Sequence, residues 1–131
     1  MKNKPSRFSL LCLAAATSLV LITLTPPAAA SEESADANAE TAGERAHFAQ
    51  MHCDVKPERI GGYKERLRHV LHDASDFDRS WQTGWSRGEK QDMRLDSLRR
   101  SDPEEYAARV KASCERLKWL AKNSLRARPP K

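Results

Sequence analysis

A chain of 131 residues with 23 Lys plus Arg, 18 Asp plus Glu and a net charge of +5 has room for one small domain with a modest core. Three of the 23 basic residues and none of the acids fall in residues 1–30, so the remainder carries 20 against 18, a net of +2. The global basic excess expected of a nucleic-acid binder largely leaves with that leader.

Residues 1–30 have the three parts of a cleavable signal peptide. Lys2, Lys4 and Arg7 form a positive start, Phe8 to Thr25 is apolar, and Pro26-Pro27 precedes Ala28-Ala29-Ala30, small residues suited to signal peptidase. Cleavage is expected before Ser31, giving a periplasmic or secreted protein with no stable membrane span. An uncleaved anchor is the alternative, but Phe8 to Leu24 is interrupted by Ser9, Thr17, Ser18 and Thr23 and reaches only about 17 residues, the lower limit for a span. Cleavage also removes Cys12. The remaining pair, Cys53 and Cys114, lies 61 residues apart, and in an oxidising compartment such a pair forms a disulfide. Closing a loop of that length contributes roughly 4 kcal/mol by chain entropy.

Residues 31–43 are acidic and small, with no large apolar side chain, and read as a flexible linker. A helical domain is expected over residues 44–125. Its first helix runs from Glu44 to about His52, with Phe48, Met51 and Val55 at helical spacing and Cys53 nearly opposite them. Either that helix stops just before Cys53, or the cysteine reaches around an edge or pairs between molecules.

Val55, Pro57 and Ile60 then spell a helix start with a hydrophobic staple. The stripe Ile60, Tyr63, Leu67, Val70, Leu71, Ala74, Phe77, Trp81 and Trp85 spans about 120° of a 3.6-residue helix. It predicts one long second helix ended by Gly84 and Gly88. Glu89 to Arg100 reads as a short helix without a coherent apolar face. Asp102, Pro103 and Glu105 predict an N-cap, a first-position proline and a capping box. The last helix follows to about Asn123, burying Tyr106, Val110, Cys114, Leu117, Leu120 and Ala121. Residues 126–131 read as a disordered basic tail. The fold expected is all-α, a three- to four-helix bundle stapled by Cys53 and Cys114.

Few groupings could carry chemistry. His69, His72, Asp73 and Asp76 would share the polar back of the long helix, and imidazole with carboxylate suits zinc, copper or nickel. A further ligand would have to come from His47 or His52. Asp78 falls inside the apolar stripe and must be ion-paired to an Arg of the third or fourth helix, or exposed, unless it is a raised-pKa acid. Trp81 and Trp85 share a face as core or as an aromatic wall. Trp119 projects about 140° from the buried face of the last helix, among Arg116 and Lys122, a placement suited to a partner contact.

The chain has no glycine-rich phosphate loop, nucleophile elbow, His-Glu-x-x-His or haem-attachment motif. The function expected is therefore that of an exported, non-enzymatic binding or interaction protein of the bacterial cell envelope, with a protein partner, no nucleic acid and no cofactor. The alternative is a periplasmic metal-binding or metal-responsive protein using the His/Asp face. A small hydrolase would require Asp78 in a cleft.

Overall fold

A computed structural model describes residues 27–126 of the chain. The signal peptide expected over residues 1–30 lies outside them except for its last four positions, and the expected tail from residue 127 on is also outside. The described residues form four helices and no strand: α1 (Pro27–His52), α2 (Pro57–Val70), α3 (Phe77–Ser101) and α4 (Pro103–Ser124). The all-α reading holds.

Residues 31–43, read as a flexible linker, are instead the middle of α1. Composition misleads here because the burial is done by small residues. Ala35, Ala39, Ala42 and Ala46 recur on one face and are buried, Ala39 completely. Ala39, Ala42 and Ala46 join the core with Ile60, Leu67, Phe77 and Trp81, and among the described residues the most extensive interhelix contact is that of α1 with α3. A Cβ at Gly84 would fall on the Glu40 carbonyl, one at Gly43 on the Trp81 carbonyl, and one at Gly88 would lie 2.8 Å from His47 Cδ2. Gly84 and Gly88 were expected to end a helix. They are buried inside α3, where the absence of a side chain lets the α1 backbone approach at Gly84 and the His47 ring at Gly88.

The second helix is also shorter than its stripe. It stops at Val70, and residues 71–76 form a turn before α3 begins. Two local competitors explain the break. Asp76 caps α3, its carboxylate accepting from Arg79 N–H at 3.0 Å, a side-chain bond that favours helix starts over helix interiors. Asp36 of α1 accepts from Ser75 Oγ at 2.5 Å, Ser80 Oγ at 3.2 Å, and the Ser75 and Asp76 backbone N–H groups at 3.3 Å. These bonds, led by that from the Ser75 hydroxyl, hold the Asp36 carboxyl below its usual range. The apolar period carries across the turn because both helices contribute to one core.

That core comprises Ala39, Ala42, Ala46, Ile60, Leu67, Phe77 and Trp81. The chain reversal makes α2 antiparallel to α3, with Lys64 and Arg68 meeting Asp78. It leaves α1 and α3 parallel: Asp36 meets Ser75 and Ser80, Glu40 meets Gly84 and Arg87, and His47 meets Gly88 and Asp92. Trp81 is buried, with Phe77 and Tyr63 each 6.1 Å away between ring centroids.

The last helix starts as expected, Asp102 accepting from Glu105 N–H at 2.9 Å. The reciprocal half of a capping box is not made, since Asp102 N–H donates to Leu98 at 2.7 Å and Glu105 pairs with Arg109. No residue of α4 is fully buried; the face expected to be buried is half-buried. Its hold on the bundle includes the disulfide between Cys53 and Cys114, with Cα atoms 5.6 Å apart. The helix ends at His52, and Asp54 adopts a left-handed φ of 55°, a conformation Asp tolerates better than most residues. Cys53 thereby reaches α4 within the same molecule.

Gly84→Ala is expected to destabilise the protein by about 2 kcal/mol or more despite alanine's higher helix propensity, because the helices must separate. Gly61→Ala, where a Cβ meets nothing within 4 Å, is expected to stabilise by about 0.5–1 kcal/mol. Urea unfolding of both variants checks the pair. Removing the disulfide as Cys53→Ser/Cys114→Ser should cost about 2–4 kcal/mol by the same measurement.

Candidate functional site

The four residues proposed as a metal face do not share a helix. His69 lies on α2, Asp76 caps α3, and His72 and Asp73 sit in the turn between, paired at 3.1 Å with both side chains exposed. The break at Leu71 destroys the i, i+3, i+4, i+7 relation on which the expectation rested. Among the described residues, no group of three or more His, Cys, Asp or Glu is placed to hold a metal ion. Asp78 is at the exposed rim, with Arg68 at 2.5 and 2.9 Å and Lys64 at 2.8 Å. Its partners come from α2, not from a later helix, and they hold its carboxyl well below the usual range, the Arg68 bonds foremost.

The histidines that do cluster are His47 and His52. Each ring's Nε2 faces one oxygen of Asp92, at 2.8 and 2.9 Å, and His52 Nδ1 lies 3.3 Å from the Tyr106 hydroxyl. His47 stands edge-on to half-buried Trp85 at 5.0 Å, in the space that Gly88 leaves open. Burial raises the pKa of Asp92, and the bonds from His52 and His47 together outweigh it, so its carboxyl is held below the usual range. With both oxygens bonded, the cluster is a joint between α1, α3 and α4. The sequence offers His47 and His52 only as accessory ligands, and their true partner lies 45 and 40 residues further on, respectively.

The remaining feature is a groove of about 690 Å³ between α2 and α4, floored by α1. Ala46, Ala49, Ile60, Leu117 and Ala121 line it with the disulfide, and Arg45, Arg59, Arg66, Lys118 and Lys122 rim it beside one acid, Glu58. None of these five cations has an ion-pair partner among the described residues. Of the residues proposed as a partner surface, Lys122 belongs to this rim. Trp119 is 64% exposed, and neither it nor the exposed Arg116 lines the groove. Trp81 and Trp85 do not line it either. The sequence missed the groove because its walls are two helices never adjacent in the chain.

The chain matches no family model, no curated protein and no solved structure.

Asp92→Asn is expected to cost about 2 kcal/mol at pH 7, the worth of hydrogen bonds to a charged group. A carboxyl whose folded pKa is lowered stabilises fully above its unfolded value, about 3.9, and loses that contribution as pH falls through the folded value. The stability gap between wild type and Asp92→Asn should therefore shrink below about pH 4, which denaturant titrations at pH 7 and pH 3 would measure.

Proposed function

We propose that the chain is an exported, non-enzymatic binding protein of the bacterial cell envelope, and that the groove between α2 and α4 is its binding site. One observation carries this reading: an apolar-lined groove of about 690 Å³ ringed by five unpaired cations and one acid. That volume falls in the range of small-molecule sites. Apolar contact supplies affinity at about 25 cal/mol per Å² buried, and the cations orient the negative end of the ligand. The strongest buried candidate for chemistry, the His47–Asp92–His52 cluster, has its carboxylate already occupied, which supports binding without catalysis. Export is supported by residues 1–30 as read from sequence and by a cysteine pair suited to an oxidising compartment.

A protein partner at Trp119 is a second reading, supported by the 64% exposure of its indole and by the frequency of Trp at interface centres. The two separate experimentally. The anionic fluorophore anilinonaphthalene sulfonate should bind the folded protein saturably at one site. Ala121→Trp, which fills the groove from α4, should weaken it about tenfold, equivalent to 1.4 kcal/mol, and Trp119→Ala should leave it unchanged. Saturable binding unaffected by Ala121→Trp would move the site elsewhere.

A further inference from the structure

We propose that the occupant of the groove is the anion of a free fatty acid, a single extended acyl chain with a carboxylate at the rim. The inference rests on the groove being the binding site and goes further by naming the ligand.

The α4 wall is tied down twice, once to the end of α1 and once to the facing wall α2. The disulfide joins Cys53 to Cys114, and Tyr63 Oη lies 2.9 Å from Ser124 Oγ. The two ties lie ten residues apart along α4, about 15 Å of helix. Cys53, Tyr63 and Cys114 all belong to the lining, so α4 is fixed to the end of the floor helix at one point and to the opposite wall at the other. A helical peptide is about 10–12 Å across with its side chains, and a wall fastened both to the floor helix and to the opposite wall resists the spreading needed to seat one.

The floor selects in the same direction. Ala46, Ala49, Val55, Ile60, Leu117 and Leu125 offer no hydrogen bond, and the Tyr63 hydroxyl is already taken by Ser124. A polar ligand would leave its buried groups unsatisfied there, at a cost no contact offsets. A polymethylene chain has no such groups. The head must be anionic, because the rim places Arg59 and Arg66 on α2, Lys118 and Lys122 on α4 and Arg45 on α1, with Glu58 the one acid among them. A compact head fits best, because the ties at Cys114 and Ser124 oppose the outward movement of α4 that a bulkier glycerophosphate would require.

The test is displacement of anilinonaphthalene sulfonate from the protein purified as the cell exports it, with circular dichroism monitoring the fold. The competitors are octanoate, decanoate and dodecanoate below their micellar concentrations, dodecanol, a lysophosphatidylglycerol of the same chain length, and an acidic amphipathic peptide. Affinity should rise about fourfold per added methylene, the equivalent of 0.8 kcal/mol, until the groove is filled. Dodecanoate should displace better than dodecanol, and the exposed double change Lys118→Glu/Lys122→Glu should abolish that preference without altering the fold.

Affinity independent of chain length, or stronger displacement by the peptide or the lysolipid, would overturn the fatty-acid assignment. A probe that binds in the groove but yields to no carboxylate refutes the ligand and leaves the site standing. A probe that does not bind refutes both.

Discussion

The contact on which the rest of the molecule depends is the approach of α1 to α3 at backbone distance. It is made by residues that have almost nothing to offer the hydrophobic effect singly: Gly43, Gly84 and Gly88, with Ala35, Ala39, Ala42 and Ala46. Their value is geometric. Without side chains between them, two helices gain dense dispersion contact along their length. The parallel arrangement also forces α2 to run back between them in sequence, so the large apolar side chains Ile60, Leu67, Phe77 and Trp81 gather on one side of the pair. Gly88 at the other end of the contact leaves room for the His47 ring, which places Asp92 between His47 and His52.

Three aspartates act as connectors around this pair, each by a different chemistry. Asp36 gathers backbone and hydroxyl donors from the α2–α3 turn. Asp78 takes the guanidinium and ammonium of α2, and Asp92 takes two imidazoles of α1. The same spending of acids on α1 extends to Glu40, which pairs with Arg87, and Glu44, which bonds Gln91 and lies 3.6 Å from Arg87. These pairs lie toward α3, while the rim of the groove keeps its cations without carboxylate partners. Exposed ion pairs contribute little stability one by one; their consequence here is where the uncompensated positive charge is left.

The fourth helix shows why a groove exists at all. It has no fully buried residue, and its half-buried packing on α3 and α1 is supplemented by the disulfide, the Tyr106–His52 contact and the Tyr63–Ser124 hydrogen bond. Without a continuous buried apolar seam, α4 does not close onto the floor over its whole length, and the groove lies between it and α2. The small floor residues Ala46 and Ala49 keep the space beneath it open.

What the sequence determined alone were the features set by local chemistry: an all-helical chain, a start at Asp102-Pro103 from capping and fixed proline φ, a start at Pro57, and a Cys53–Cys114 staple from cysteine count. Its errors share one cause. Periodicity registers large apolar side chains, so the alanine face of residues 31–43 read as linker, Gly84 and Gly88 read as breakers, and a stripe shared by two helices read as one. Only the tertiary structure decided these, because an alanine or glycine contributes through what it allows a distant backbone to approach, and that partner is invisible in a local window. The same holds for the site. Asp92 and the walls of the groove are brought to their neighbours by long-range packing, and the proposed His/Asp face dissolved because Asp36, far back in the chain, holds the turn that breaks its helix.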